Sequence, residues 1–321
     1  MGVKINNKLF SVIILSFNNF QKSTKLCIDS LIPWLDDPEV EIIVLDNGSI
    51  DGSSDQMLRY VTKHPQLRVI CSEQNLGYSG GMNLASTYAK GKWLLLVNSD
   101  AIFPAAALNS FKRVIRNLPS DIAMVAPTTN SAGNGQQIVK KGLSKSEYLH
   151  LGEWIHQNPT DYLIPTYRCD FFTVAIRSKV WMELGGLDIQ FNPGYFEDFD
   201  FCLRASKAGY KQKISEDVFV YHSGSASFAA FNYQKSIIRR NQKLLLSKHS
   251  DAQLIHARVC NYNIIEHYFL KIENLFSEPW RERVRVRLDL LKNDLPRSPI
   301  KRFLWKIKIS KYVSRIDQYT K

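Results

Sequence analysis

The stretch that decides the fold is Trp93-Leu94-Leu95-Leu96-Val97-Asn98-Ser99-Asp100. Its first five residues are apolar, and the last three form a polar triplet that ends in a carboxylate. A short continuous apolar run bounded in this way is typical of a strand that is buried on both faces. Open α/β sheets bind ligands just beyond the carboxyl ends of such strands. The stretch therefore predicts a ligand or a metal ion at Asp100, with a simple turn cap as the alternative.

Similar apolar runs occur on both sides of this strand, and segments of helical character separate them. The runs that we interpret as strands are residues 10–16, 41–45, 67–70, 121–126, 167–176 and 213–221. Strands and helices in alternation predict an α/β fold with a mostly parallel, doubly wound sheet. Residues 127–165 are rich in Gly, Asn, Ser and Lys, and we expect loops with a little helix there.

Length and cysteine content limit the class of protein. The chain has 321 residues, of which 45% are hydrophobic, enough for one large domain with an appended piece or for two modest domains. The five cysteines are scattered and form no CxxC pair, which indicates free thiols in a reducing, cytoplasmic compartment. No apolar run approaches the roughly 18 residues of a membrane span, and we expect no signal peptide.

The positive charge of the chain is concentrated at its end. The net charge is +12, and residues 278–321 contain 13 Lys and Arg against 5 Asp and Glu. Residues 300–312 mix basic and apolar side chains around Trp305, a pattern that suits a membrane surface. A phosphorylated substrate, nucleic acid or a merely solvated helical surface are the alternatives. We expect one domain over residues 1–230 and a basic helical extension over residues 231–321.

Two loops after predicted strands carry candidate nucleotide-binding groups. Asp46 and Asp51 lie in one short loop, and since a loop needs only one helix cap, one carboxylate is available to a base or a ribose. Gly77, Gly80 and Gly81 do not have the GxGxxG spacing, so a dinucleotide fingerprint is not supported. Glycines at a helix start still let a ligand approach the backbone closely, although tight packing explains them equally well.

A second acidic stretch follows the predicted helix at 177–184. Its carboxylates are Asp188, Glu197, Asp198 and Asp200. Acidic residues at a helix start complement the helix dipole without any catalytic role. Asp198 and Asp200 leave a helix on different sides, so at most one of them can point into a given cleft. His222, at the end of the last predicted strand, is either a metal or phosphate ligand or a structural histidine.

Together and in this order, the motifs resemble those of inverting family 2 glycosyltransferases. The similarity is greatest to bacterial rhamnosyltransferase-like enzymes that build surface polysaccharide such as O-antigen or capsule, and it extends over about residues 11–227. Its motifs are Asn18 after the first strand, Asp46-Asn47-Gly48-Ser49 with Asp51, Asn75-Leu76-Gly77 with Gly80 and Asn83, Asn98-Ser99-Asp100, Gly185-Gly186-Leu187-Asp188, Glu197-Asp198-Phe199-Asp200, and His222. The resemblance implies a GT-A fold: a Rossmann-like, mostly parallel mixed sheet flanked by helices, here with a C-terminal helical extension.

The resemblance also implies roles for individual residues. Asp198 is expected to be the catalytic base, with Asp188 and Glu197 at the acceptor. Asp100 and His222 are expected to hold a divalent cation, Mg²⁺ or Mn²⁺. The donor-binding residues are expected to be Asn18, Asp46, Asp51, Asn75, Gly77, Asn83 and Asn98. Asn98 departs from the first Asp of the DXD motif, which removes one anionic ligand.

The expected reaction is the inverting transfer of a sugar from dTDP-rhamnose or a UDP-hexose to a glycan or lipid-linked hydroxyl. Peripheral contact with an anionic membrane is expected, and a nucleic-acid partner is not. One alternative is a nucleotidyltransferase of the same fold that makes sugar nucleotides. Such enzymes usually carry a Gly-rich phosphate loop near the N-terminus, and this chain has Phe17-Asn18-Asn19 there, which argues against this alternative. The other alternative is a non-catalytic polyanion-binding module.

Overall fold

A computed structural model of the chain describes residues 8–116, 118–139, 142–224 and 234–319. The strands in these ranges are β1 (Phe10–Ser16), β2 (Val40–Asp46), β3 (Leu67–Cys71), β4 (Trp93–Asn98), β5 (Ala101–Ile102), β6 (Ile122–Thr128), β7 (Leu163–Thr166), β8 (Thr173–Arg177), β9 (Lys211–Phe219) and β10 (Tyr221–His222). The α-helices are α1 (Thr24–Leu31), α2 (Ser53–Val61), α3 (Gly77–Ser86), α4 (Ala107–Arg116), α5 (Lys145–Gln157), α6 (Ser178–Glu183), α7 (Glu197–Lys207), α8 (Gln234–Lys248), α9 (Ala257–Lys271), α10 (Trp280–Asn293) and α11 (Pro299–Tyr319).

Eight of the strands form one mixed sheet in the order β3-β2-β1-β4-β8-β6-β9-β7. Strands β3, β2, β1 and β4 are parallel, and β6 pairs parallel with β9. Only β8 and β7 run against their neighbours in this sheet. The expectation of a mostly parallel sheet flanked by helices is confirmed.

The long apolar runs of the strands are explained by helices on both faces of the sheet. In β4, Trp93, Leu95 and Val97 join the apolar cluster under α1 and α4, and Leu94 and Leu96 join the cluster on the opposite face under α6 and α7. Because both faces are covered, every residue of the strand interior has to be apolar. The run therefore ends only where β4 reaches the edge of the sheet, at Asn98.

Strand register aligns the carboxyl ends of the central strands. Ser16 at the end of β1 is opposite Asp46 at the end of β2, and Leu15 is opposite Asn98 at the end of β4. The polar residues that follow these strands are therefore gathered along one edge of the sheet, as the sequence predicted.

Two segments differ from the expectation. Residues 127–165 contain the 13-residue helix α5, which a capping box between Ser144 and Glu147 begins, and the edge strand β7. The strand expected over residues 167–176 begins only at Thr173, the first residue of β8. Phe171 and Phe172 had suggested a longer strand because they are apolar, and they are indeed buried, but in a loop. Apolar content alone did not separate a buried loop from a strand.

Buried polar contacts of α8 and α10 hold the C-terminal helices to the rest of the protein, and α9 adds a hydrogen bond between His267 and Tyr162. From α8, the buried Asn241 amide donates hydrogen bonds to the carbonyls of Phe191, Gly194 and Tyr195. Helices α9, α10 and α11 share a separate apolar core, and α10 is bonded to β9 through buried arginines. The helical C-terminal region is confirmed, whereas the expected boundary at 230/231, like the end of the resemblance near 227, lies outside the described residues.

Candidate active site

The loop after β2 holds Asp46 in a fixed position. The buried Asp46 carboxylate accepts hydrogen bonds from the hydroxyl groups of Ser49 and Ser54. Gly48 has a φ of +74°, and a Cβ there would lie 2.5 Å from the backbone of Gln74. Only glycine allows this close contact between the loops after β2 and β3. The base-binding role of Asp46 stays a prediction, and the structure shows its carboxylate ordering the loop.

Asn18 and Asp51 connect the loops after β1 and β2. The Asn18 amide N–H donates to Ser49 Oγ at 2.7 Å, and its side-chain oxygen accepts from the backbone of Ile50 at 3.0 Å. Asp51 accepts from the Asn19 N–H at 2.8 Å. Burial alone would raise the pKa of Asp51. The hydrogen bonds from Ser53 and Asn19 lower this pKa by more than burial raises it, so the net shift is downward. The group stays ionised at neutral pH.

Asn75 and Gly77 lie at the start of α3. The Asn75 side-chain oxygen accepts from Asn47 Nδ2 at 3.1 Å and from the Gly77 N–H at 2.8 Å, and Gly77 has a φ of +70°. Both residues line a cavity of about 860 Å³ that Pro193 and Arg240 close on the other side. These two predicted donor residues therefore border an open cavity.

Asn83 has a different environment from the other predicted donor residues. Its side-chain oxygen accepts from the Leu187 N–H at 2.8 Å, and its side-chain nitrogen donates to the Leu187 carbonyl at 2.7 Å. Asn83 does not line the cavity that Asn75 and Gly77 border. Asn83 holds α3 to the segment that precedes Asp188.

A second cavity, of about 410 Å³, opens between the end of β4, the start of β8 and the start of α7. We call it the central cleft. It brings together Asn98, Glu197, Asp198 and His222, which the sequence analysis had singled out in three separate motifs. The further polar side chains that line it are Tyr78, Ser131, Arg168, Asp170 and Tyr195.

Asp100 and His222 form a pair at the edge of this cleft. Because β10 pairs antiparallel with β5, His222 is opposite Ala101, and its Nε2 lies 3.4 Å from Asp100 Oδ1. The other ring nitrogen, Nδ1, lies 2.9 Å from the Ser131 carbonyl, which can only accept a hydrogen bond, so Nδ1 carries a proton. Burial lowers the pKa of His222, the Asp100 carboxylate raises it more, and the net shift is upward.

These residues fit a divalent cation of the kind that the fold implies. The Nδ1 hydrogen bond to Ser131 directs Nε2 towards Asp100, an arrangement typical of histidines that bind metals. No group of three or more His, Cys, Asp or Glu side chains suited to a metal occurs among the described residues. Mg²⁺-type ions are commonly held by one or two carboxylates, with phosphate and water oxygens as the other ligands. Asp100, with His222 beside it, suits that mode of binding.

Glu197 and Asp198 begin helix α7 and lie buried at the cleft. Burial is the main reason that the pKa of Glu197 is raised, and the negative charge of Asp198 adds to it. Burial also raises the pKa of Asp198, and Arg168, whose Nη2 lies 3.6 Å from Asp198 Oδ2, partly opposes the shift. A carboxylate with a raised pKa is a stronger base than an exposed one, as proton abstraction requires.

Arg168 and Asp170 complete this charged group, and the sequence analysis did not identify either of them. Arg168 Nη2 lies 2.6 Å from Asp170 Oδ1, and the guanidinium also lies over the ring of Phe199. Burial lowers the pKa of Arg168, but the carboxylates of Asp170 and Asp198 raise it more, so the group remains a cation. The sequence signal was weak, because an Arg and an Asp two residues apart are common in loops.

The other two carboxylates of the acidic stretch lie outside the cleft lining. Asp188 caps the 3₁₀-helix Ile189–Phe191 and forms an ion pair with Lys248 of α8. The fully buried Asp200 accepts from Arg204 Nε at 2.7 Å and lies 2.8 Å from His249 Nε2. Asp198 and Asp200 therefore do point to different sides of α7, and Asp198 is the one that lines the cleft.

Comparison with known proteins agrees with this geometry. The model of the glycosyl transferase family 2 matches residues 11–181. The chain belongs to glycosyl transferase family 2. It is therefore a glycosyltransferase, and family membership argues against both alternatives, the sugar-nucleotide nucleotidyltransferase and the non-catalytic polyanion-binding module.

The curated relatives are distant. Glycosyltransferase GlyG of Streptococcus pneumoniae is 22% identical over 263 residues, which cover 77% of this chain and 82% of GlyG. The poly(ribitol-phosphate) beta-glucosyltransferase of Bacillus spizizenii is 31% identical over 114 residues, 35% of this chain and 18% of that protein. The chain thus spans most of GlyG but a small part of the larger enzyme.

Solved structures show the same fold. TarS 1–349 of S. aureus in complex with UDP-GlcNAc has a TM-score of 0.54 at 16% identity, covering 97% of this chain and 89% of that one. GalNAc-T7 with UDP, GalNAc and Mn²⁺ has a TM-score of 0.56 at 13% identity, covering 88% and 54%. The expected GT-A fold is confirmed.

Proposed function

We propose that this glycosyltransferase moves a sugar from a nucleotide-diphosphate donor to a hydroxyl group of a glycan or lipid-linked acceptor, with inversion at the anomeric carbon. One observation carries the proposal: a buried carboxylate of raised pKa, Asp198, shares the central cleft with a side-chain set that suits a diphosphate-bound cation. This supports the proposal because Asp198 and His222 line the same cavity, and His222 contacts Asp100 at its edge.

The donor would lie along the carboxyl edge of the parallel strands. Asn18, Asp46 and Asp51, in the ordered loops after β1 and β2, would contact the nucleoside. Asn75 and Gly77 would border it from the start of α3, whose backbone N–H groups favour negative charge. Asn83 and Asp188 would act indirectly, since Asn83 is bonded to Leu187 and Asp188 to Lys248.

Asp198 would remove the proton of the acceptor hydroxyl as that oxygen attacks the anomeric carbon from the face opposite the diphosphate. One displacement inverts the configuration, so one base suffices and no protein nucleophile is needed. Arg168 would orient the carboxylate and moderate its pKa. Glu197, whose buried Oε2 has no hydrogen-bond partner among the described residues, would bind the acceptor.

When bound, a Mg²⁺ or Mn²⁺ ion neutralises the negative charge that develops on the leaving diphosphate. Asp100 and His222 would hold it, and the neutral Asn98 would contribute less than an aspartate in that position.

For donor and acceptor, we propose a UDP-hexose and a cell-surface polymer. Two of the structural neighbours were solved with UDP-GlcNAc or with UDP, GalNAc and Mn²⁺, and one relative acts on poly(ribitol-phosphate). dTDP-rhamnose, the donor suggested by the sequence resemblance, is the rival that the experiment has to separate.

The deciding experiment is thermal unfolding with UDP, dTDP, GDP or CDP, each with and without Mn²⁺. We expect one nucleotide, UDP by preference, to stabilise the wild-type protein only when Mn²⁺ is present. At about 100 times its dissociation constant a ligand stabilises by roughly 2.7 kcal/mol, which is readily seen as a shift in Tm. Asp100→Ala should abolish the shift, and Glu273→Ala, a change of an exposed carboxylate in the turn between α9 and α10, should retain it.

If only dTDP shifts the Tm, the donor is a dTDP-sugar and not a UDP-hexose, and the proposed mechanism stays the same. A shift that persists in Asp100→Ala would contradict the cation site. The absence of any shift at high nucleotide concentration would contradict the donor class itself.

A further inference from the structure

Helix α11 has two apolar faces, and only one of them is covered. Trp305, Ile309, Tyr312 and Ile316, at spacings of four, three and four residues, are buried in the core that α9, α10 and α11 share. Nearly opposite on the helix, Ile300, Phe303, Leu304 and Ile307 are 73%, 65%, 57% and 55% exposed. We call these four residues the outer stripe. Their i, i+3, i+4, i+7 spacing places them side by side on the first two turns.

Basic residues border the outer stripe on both edges. With 100° between successive residues, Lys301 and Lys308 fall on one edge and Lys306 on the other. All three are exposed, and Lys308 Nζ lies 3.8 Å from the centre of the Tyr262 ring. An exposed apolar stripe with cationic edges is the pattern of a helix that lies in the interface of an anionic bilayer.

We propose that the outer stripe of α11 docks the protein on the surface of an anionic lipid bilayer. The apolar side chains would enter the boundary between headgroups and acyl chains, and the three flanking lysines would pair with lipid phosphates. A nucleic acid would leave four exposed apolar side chains without a partner. A second copy of this chain, packed stripe to stripe, would bring rows of like charge together. Among the described residues no helix is long and apolar enough to cross a membrane, so the contact proposed is peripheral.

The test is cosedimentation of the full chain with vesicles of phosphatidylcholine alone and of phosphatidylcholine mixed with phosphatidylglycerol. We expect binding to the mixed vesicles only, weakened by salt. F303S/I307S should weaken binding about tenfold or more through lost apolar burial. K301E/K306E, which reverses one charge on each edge, should weaken it by a similar factor.

Matched controls distinguish the stripe from general properties of the protein. M182S changes an exposed apolar residue of α6, and K63E/K145E makes the same charge change on α5 and beyond the end of α2. Both should bind like the wild type, and all four variants should keep its Tm, because every changed side chain is exposed.

Equal binding to neutral and mixed vesicles, or binding to neither, would overturn the proposal. So would unchanged binding by the stripe variants, or wild-type dimers that F303S/I307S dissociates without any vesicle binding. No donor or acceptor is present in the assay, so its failure would leave the proposed transferase reaction untouched.

Discussion

Burial and a neighbouring positive charge shift the pKa of Asp198 in opposite directions. The cleft raises its pKa, and the Arg168 guanidinium beside it lowers that pKa in part. As the proposed base, Asp198 should be dispensable for donor binding but not for turnover. We expect Asp198→Asn to reduce kcat by about 10²- to 10⁴-fold. The nucleotide-dependent Tm shift should persist in this variant.

The matched control is Asp251→Asn, which changes an exposed carboxylate beyond α8 and should leave kcat unchanged. Turnover by Asp198→Asn at the wild-type rate would remove Asp198 from the mechanism. Loss of both turnover and the nucleotide shift would indicate a role in folding or donor binding instead.

The pH dependence of kcat provides a second test at the same residue. A base must be ionised, so activity falls as pH falls through its pKa. Because the pKa of Asp198 is raised, this acid limb should lie above the value of about 3.9 of an exposed aspartate. In Arg168→Met the lowering influence of the cation is lost, so the limb should move to still higher pH.

A merely structural role of Arg168 would lower kcat at every pH without moving the limb. The profile is measured at saturating donor and acceptor, so that it reports the bound enzyme. An acid limb that stays in place in Arg168→Met would contradict the electrostatic coupling between Arg168 and Asp198.

Some candidate site residues could be recognised from the sequence and others could not, for a physical reason. Asp100, Asp198 and His222 sit at strand ends and at a helix start, positions that the chain pattern itself identifies. Arg168 reaches Asp198 from 30 positions away, out of a segment that belongs to no strand or helix. The donor-binding role of Asn83 stays a prediction, and nothing in the sequence indicated that its amide is bonded to Leu187, 104 positions along the chain.

Among the elements, the central strands were the easiest to predict. Burial on both faces makes β1, β2 and β4 continuous apolar runs, and parallel register then fixes which ends meet. The sequence predicted only a little helix where α5 lies, because the surroundings are rich in loop-forming residues, although Ser144 and Glu147 form the S-x-x-E signature of a helix start. A local capping signal was more informative there than composition.

Helix α11 illustrates a limit of periodicity. Its mixture of basic and apolar residues predicted one amphipathic surface. The structure shows two apolar faces, one packed on α9 and α10 and one exposed. Spacing cannot tell which of two opposite apolar faces a protein covers, because both satisfy the same helical repeat.

At the scale of the whole molecule, two buried ion pairs join α10 to the central sheet. Arg287 pairs with Glu216 of β9 and also donates to the Gly135 carbonyl at 2.9 Å and to Asn261 Oδ1 at 2.6 Å. Arg283 Nη2 lies 3.4 Å from Asp217 Oδ1. All four ionic side chains are almost completely buried, so each has lost its hydration, and the opposite charge of its partner compensates for that loss.

We expect Arg287→Met to destabilise the protein by about 3 to 5 kcal/mol, because Glu216 is left as an uncompensated buried charge. Chemical denaturation followed by circular dichroism measures the change. The double variant Arg287→Met/Glu216→Gln should recover part of the loss, since no charge then remains without its partner. Arg285→Met, in an exposed pair with Glu282, should cost less than about 1 kcal/mol. Equal effects of the Arg287 and Arg285 variants would contradict the structural role of the buried pair.

The same ion pairs bear on the construction of chimeras with related enzymes. Glu216 and Asp217 lie in β9, whereas their partners belong to α10, more than 60 positions later. If a chimera replaced only the C-terminal helices, the buried carboxylates of Glu216 and Asp217 would face side chains from another protein in place of Arg287 and Arg283. The transferable module is therefore discontinuous in sequence, and a donor of these helices must also supply the middle of the ninth strand.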